Sequence, residues 1–240
     1  MTLPAEALAD CRLFRDLPGP ALQTLAEAVR HVRFGRGERL IPMGQRPDRL
    51  LVIRQGLVKL AGVSARGIER ILYVSRPGDV VGQGVLLDGY APDYEVAAMT
   101  PVRALAIGRR ELLRVGRSQP VVILSLAREV ARMMKAMTER VMAATTADVP
   151  ARLSQLLLEF ADLPDGTGQA PLGYPLTHEL MAQIVGASRP HTSTVLGALE
   201  AAGAVRRRPS GLLLNPPRLR EIAEGGLGAQ NGREILLAAS

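Results

Sequence analysis

The chain has 240 residues, 47% of them hydrophobic and 22% charged, which is enough apolar material for one large or two ordinary cores, so disorder is not the default. Its net charge of +7 invites an anionic partner, but the excess is uneven: residues 1–147 hold 22 Lys/Arg against 14 Asp/Glu, and residues 148–240 hold 8 against 9. A single cysteine, Cys11, excludes an internal disulfide and a thiolate metal cluster, and without a signal-type leader or an apolar run of about eighteen residues the expectation is a cytoplasmic protein with no membrane span.

A helical lead-in, "PGPALQTLAEAVRHV", opens the pattern. Residues 32–107 then read as short β-prone runs: "DRLLVIRQGLVKLAGV", "ERILYVSR", "DVVGQGVLL" and "VRALAI". Gly35, Gly37, Gly56, Gly67 and the turn Pro77-Gly78-Asp79 punctuate them. Short strands at such spacing predict a sandwich or barrel.

From Pro120 the pattern turns helical. "PVVILSLAREVARMMKAMTERVMAATT" runs 27 residues without glycine or internal proline, about 40 Å of helix. Ile123, Leu126, Val130, Met133, Met137, Val141 and Ala144 recur at steps of 3, 4, 3, 4, 4 and 3, close to a heptad seam. The seam predicts packing against a second copy of the chain, and an intrachain core helix is the alternative. Asp148 before Val149-Pro150 reads as an N-cap with proline in the first turn, and it marks a domain boundary. The next helix, "VPARLSQLLLEFADL", stops at "PDGTGQAPLGYP".

The stretch "QIVGASRPHTSTVLGALEAAG" holds two short helices and the corner between them. Thr177 caps the first, which turns Leu180, Ile184 and Val185 inward and ends at a left-handed Gly186. Ser188 caps the second, Pro190 is tolerated in its first turn, and Val195, Leu196 and Leu199 form one apolar stripe down to Gly203. Arg189, Ser193 and Thr194 occupy the opposite face. This is a helix-turn-helix, whose second helix presents its first residues to base edges in the major groove. "AVRRRPSGLLLN" follows as a basic β-hairpin wing, and residues 177–220 carry six arginines against two glutamates. The competing reading is a three-helix interaction module with a solvated arginine run.

"LTHELMAQIVGASRPHTSTVLGALEAAGAV" with its wing resembles the DNA-binding domain of the cyclic-AMP receptor protein/FNR (CRP/FNR) family of bacterial transcription regulators, and "GDVVGQGVLL" resembles part of that family's nucleotide-binding β-roll. The resemblance implies an α+β chain: an N-terminal cyclic-nucleotide-binding-like β-roll (jelly roll) over 1–117, a dimerisation helix over 118–147, a winged helix-turn-helix over 148–222, and a tail over 223–240. It implies double-stranded DNA with a two-fold-symmetric site, a second copy of the chain and RNA polymerase as partners. Arg189 stands where the family reads guanine, Ser188 where it contacts phosphate, and Arg208 on a backbone-touching wing position. Thr177, His178, His191 and Ser193 complete the expected DNA-facing set. Pro190 and Thr194 replace the family's usual Glu and Arg, which leaves the rest of the half-site different.

The family's ligand site needs an acid for the ribose and an Arg-Ser pair for the cyclic phosphate. Here Gly82 precedes Gln83 at the acid position, and Pro92 and Asp93 fall at the Arg-Ser positions. No Lys or Arg occurs between Pro77 and Val102, so a buried phosphate would face Asp93 with no cation, and cyclic AMP is disfavoured. Cys11 alone cannot hold an iron–sulfur cluster and reads as a small buried hydrophobe. His31, His178 and His191 lie in distant segments, so neither a metal nor another cofactor is expected, and no catalytic constellation points to an enzyme. The leading function is a homodimeric DNA-binding regulator, independent of cyclic AMP or tuned by an unidentified signal. The alternative is a ligand sensor acting through protein–protein contact.

Overall fold

The computed structural model describes residues 8–9, 11–63, 69–84, 91–162 and 168–225. Gly67, the end of "DVVGQGVLL" from Val85, the Pro164–Thr167 portion of the later loop and the tail from residue 226 lie outside the described residues. The chain forms two compact units, Met1–Thr138 and Glu139–Ser240.

In the first unit, helix α1 (Gly19–Glu27) leads into β1 (Arg30–Phe34), so Arg30 and His31 belong to a strand and not to the helical lead-in. β2 (Arg39–Ile41), β3 (Arg49–Gln55), β4 (Val58–Val63), β5 (Glu69–Ser75), β6 (Val80–Val81), β7 (Tyr94–Ala98) and β8 (Val102–Gly108) follow. They form two antiparallel four-stranded sheets, ordered β1-β8-β3-β6 and β2-β7-β4-β5.

The continuous apolar runs "LLVI" and "ALAI" have a simple cause: their sheet is buried on both faces. Leu51, Ile53, Ala104 and Ala106 point into the space between the sheets, with Val58, Leu60 and Val96 from the other sheet. Alternate residues Leu50, Val52, Leu105 and Ile107 pack outward against Leu25, Leu112, Val115, Val122 and Leu126. Period-two alternation thus serves two cores at once. Gly56 makes the β3–β4 turn at φ +92°, where a Cβ would stand 2.3 Å from the carbonyl oxygen of Pro101.

Helix α2 (Arg109–Ser118), which no sequence pattern marks, precedes α3 (Val121–Thr146). The apolar residues of α3 divide in a way that corrects the expected seam. Leu126 is 1% exposed and belongs to the outer core of its own unit, and Met133 packs on the inner core. Ile123 and Val141 of the expected seam are exposed, and beside them runs an exposed stripe of Leu124, Ala127, Ala131, Met134 and Val141, continued by Thr138 and Thr145. Its steps of 3, 4, 3, 4, 3 and 4 follow a heptad. An ionic cluster of an exposed arginine with two buried acids ties α3 to the sheets: Arg12 Nη2 lies 3.1 Å from both Asp79 Oδ1 and Glu129 Oε1. Burial holds the Asp79 carboxyl above its usual range, against the opposing pull of the Arg76 amide and the Arg12 charge.

The second unit contains α4 (Val149–Glu159), β9 (Ala170–Pro171), α5 (His178–Val185), α6 (Arg189–Ala201), β10 (Val205–Arg208), β11 (Gly211–Leu214) and α7 (Pro216–Gly225). Asp148 caps α4 by accepting from the Ala151 amide at 2.9 Å. β10, β11 and β9 form a small antiparallel sheet. Helix α7 runs to residue 225, past the expected module end at 222; its Leu219 and Ile222 are buried. Among the described residues no helix is long and apolar enough to cross a membrane.

Candidate nucleic-acid interface

Local hydrogen bonds build the corner between α5 and α6. Thr177 Oγ1 accepts from the Leu180 amide at 3.2 Å, and Ser188 Oγ accepts from the His191 amide at 3.3 Å. Between these caps Gly186 adopts φ 69°, ψ 42°, the left-handed exit that lets the Ala187 amide return to the Ala182 carbonyl at 3.0 Å. Leu180, Ile184, Val185, Val195, Leu196 and Leu199 are all buried, which fixes the outward faces of both helices.

One clamp had no sequence signal. Arg152 on α4 donates from Nε to the Val185 carbonyl at 3.0 Å and from Nη1 to the Ala147 carbonyl at 2.6 Å. The first bond satisfies the end of α5 with a cation, where the helix carries partial negative charge.

Arg189, Pro190, His191 and Thr194 are exposed on α6, and Ser193 is half-buried. Among the described residues Arg189 makes no hydrogen bond or ion pair, so its guanidinium fork is available to an external acceptor. Three features narrow what surrounds it. Pro190 has no amide hydrogen and the His191 amide is taken by Ser188, so the start of α6 offers fewer N–H groups to a phosphate than an ordinary helix N-terminus. Thr194 donates its hydroxyl back to the Pro190 carbonyl at 3.2 Å, leaving a methyl group and lone pairs outward. His178, expected in the DNA-facing set, lies with Nδ1 2.7 Å from Ser193 Oγ and is half-buried.

The wing resolves the three consecutive arginines. Arg207 is held by Glu200 of α6: its amide donates to Oε1 at 3.1 Å and its Nε to Oε2 at 3.0 Å. Arg206 and Arg208 are exposed and, among the described residues, unpaired. Alternation along β10 places these two on one side of the strand and Arg207 on the other.

In the β-roll, Gly82 takes φ +89° with no room for a Cβ, which would stand 2.6 Å from the Arg49 carbonyl oxygen. Gln83 is buried, donating Nε2 to the Val80 carbonyl at 3.0 Å and lying 3.9 Å from Met133 Sδ. Pro92 is buried, and its carbonyl accepts from the Gly44 amide at 2.9 Å. Asp93 is exposed, so the acid expected to oppose a buried phosphate faces solvent instead.

Residues 31–119 match the family model described as a cyclic nucleotide-binding domain, and residues 151–222 match a Crp-like helix-turn-helix domain. The chain is 28% identical over 213 residues to the CRP-like cAMP-activated global transcriptional regulator of Mycobacterium tuberculosis, covering 88% of this chain and 95% of that protein. Among solved structures, FixK2 from Bradyrhizobium japonicum matches at TM-score 0.68 and 16% identity, over 80% of this chain and 96% of that one. A CRP/FNR-family transcriptional regulator of Thermus thermophilus matches at TM-score 0.60 and 26% identity, over 81% and 98%.

Proposed function

The chain belongs to the CRP/FNR family, whose members are transcription regulators and not enzymes, and from that membership we propose a homodimer that reads a two-fold-symmetric DNA site without cyclic AMP. The observation that carries the reading of DNA is the unpaired Arg189 at the exposed start of α6, with Arg206 and Arg208 unpaired on the wing beside it. In the major groove Arg189 grips O6 and N7 of a guanine, while Ser188 and the wing arginines meet phosphates. Thr177, His178, Pro190, His191, Ser193 and Thr194 make up the rest of the DNA-facing surface. The exposed heptad stripe on α3 supplies the contact between copies.

The relative from M. tuberculosis is cAMP-activated by name. Here the sequence from Pro77 to Val102 has no cation, Gln83 spends its amide donor inside the protein, and the inner core is apolar. A cyclic phosphate would enter that interior without a countercharge. The division of labour is then effector β-roll over 1–117, dimer helix over 118–147 and DNA-binding module over 148–222. RNA polymerase is the further protein partner, and the cytoplasm is the place of action.

Selection of binding sites from random DNA, with and without cyclic AMP, tests this. The expected product is a palindrome with one invariant guanine per half-site and half-sites about 10 base pairs apart, unchanged by the nucleotide. Enrichment of no sequence would overturn the DNA reading, and enrichment only with cyclic AMP would overturn the independence.

A further inference from the structure

We propose that a cleft at one end of the β1-β8-β3 sheet binds a small phosphate monoester. The cleft measures about 360 Å³, inside the range of small-molecule sites, and its walls include Arg33, Phe34, Gln55, Pro101 and Arg103.

Its distinguishing feature is a pairing of like charges. In the antiparallel register of β1 and β8, Arg33 stands directly opposite Arg103, and Gln55 of β3 is the neighbour of Arg103 on the other side. Both arginines are exposed, and among the described residues neither makes a hydrogen bond or ion pair. Like charges directly opposite each other weaken a sheet. Two other strand cations of this unit meet acids across strands, Arg39 of β2 with Glu95 of β7 at 2.9 Å and Lys59 of β4 with Glu69 of β5, whereas Arg33 and Arg103 face each other. This like-charged pair coincides with a concavity.

Two guanidinium forks on adjacent strands, about 5 Å apart at the backbone, converge on one compact dianion. A phosphate monoester matches their charge and offers three oxygens to their N–H groups. Gln55 adds an uncharged donor and acceptor, and Pro101 gives the organic part of the ester an apolar edge; Phe34 lines the cleft beside Arg33 while packing on the inner core.

Calorimetry on the full chain tests the proposal with phenyl phosphate, inorganic phosphate, phenol and an Asp/Glu-rich peptide as probes. Phenyl phosphate is expected to bind at one site per chain, more tightly than inorganic phosphate, with phenol silent. Arg33→Gln and Arg103→Gln should each weaken it about tenfold or more, and neither should lower the melting temperature of the unliganded protein, because each removes a repulsion. Binding that survives both substitutions overturns the site, as does a silent phenyl phosphate. Inorganic phosphate binding equally well overturns the ester, and heat from the peptide alone assigns the cleft to an acidic protein surface instead.

Discussion

Nδ1 of His178 lies 2.7 Å from Oγ of Ser193, a hydrogen bond joining the first turn of α5 to the outward side of α6. It engages two side chains that sequence alone leaves free, and it adds a polar link between two helices held by their buried apolar faces. Ser193→Ala and His178→Ala should each cost about 1 kcal/mol of stability and lower DNA affinity evenly across sequences. The double variant should cost little more than either single one, since both remove the same bond. Thermal melts and binding to single-base variants of a selected site check this; a preference changed at one base pair by Ser193→Ala would make Ser193 a base reader.

The difference between what is legible in the sequence and what is not follows from range along the chain. The caps at Thr177, Ser188 and Asp148 act over three residues, and Gly186 acts on its own backbone, so local pattern reveals them. His178–Ser193, Arg152–Val185 and Glu200–Arg207 span 15, 33 and 7 residues, and no periodicity announces them. Leu126 and Met133 of the expected α3 seam are claimed by the chain's own cores while Ile123 and Val141 stay exposed, because the helix is apolar on two sides and sequence cannot say which side its own β-roll claims. "YEVAA", the strand β7, lies within the predicted β region but carries a weak strand signal of its own, because two of its five residues are alanines, which are poor strand formers.

That two-sided helix gives a separable test of dimerisation. Leu124 and Met134 are 51% and 62% exposed, whereas Leu126 is 1% exposed. Leu124→Glu with Met134→Glu should leave each chain folded but monomeric, with much weaker binding to a palindrome. Leu126→Glu should unfold the first unit by burying a charge without a partner. Analytical ultracentrifugation and circular dichroism distinguish these outcomes, and a dimer that survives the double substitution would remove the stripe as the interface.

Cys11 should be chemically silent in the folded protein. Its thiol donates to the Gly78 carbonyl at 3.3 Å, and burial pushes its pKa up to about 11. The thiolate is the reactive form, so iodoacetamide at mildly alkaline pH is expected to leave Cys11 unmodified until denaturant exposes it. Mass spectrometry of native and denatured samples reads this directly, and rapid native alkylation would contradict the burial.

Millimolar cyclic AMP should neither raise the melting temperature nor change DNA affinity. A ligand at one hundred times its Kd stabilises by about 2.7 kcal/mol, so real binding would be plain in a thermal shift. Gln83 already donates to the Val80 carbonyl, and the sequence from Pro77 to Val102 supplies no cation to the phosphate. A saturable, stoichiometric heat on titration would refute the expectation.

The arginines of the DNA-binding unit should separate by function according to their present partners. Arg189 is unpaired at the start of α6, so Arg189→Ala is expected to cost roughly 1–3 kcal/mol of binding and relax preference at one base pair per half-site. Arg208 is unpaired on the wing, and if it meets phosphate as proposed it carries no base information; Arg208→Ala should then weaken all sequences equally and lower the salt slope by about one unit. Arg207 differs from both, because its charge is already matched by Glu200 and its backbone amide is held by the same carboxylate. Glu200→Gln keeps an acceptor for the amide but frees the Arg207 guanidinium, and should therefore raise non-specific affinity and steepen the salt slope. Glu200→Ala also releases the wing and should lose specific affinity. Titrations of one selected palindrome and its single-base variants over several salt concentrations measure all four. Uniform loss in Arg189→Ala with base preference intact would mean that α6 does not read the groove.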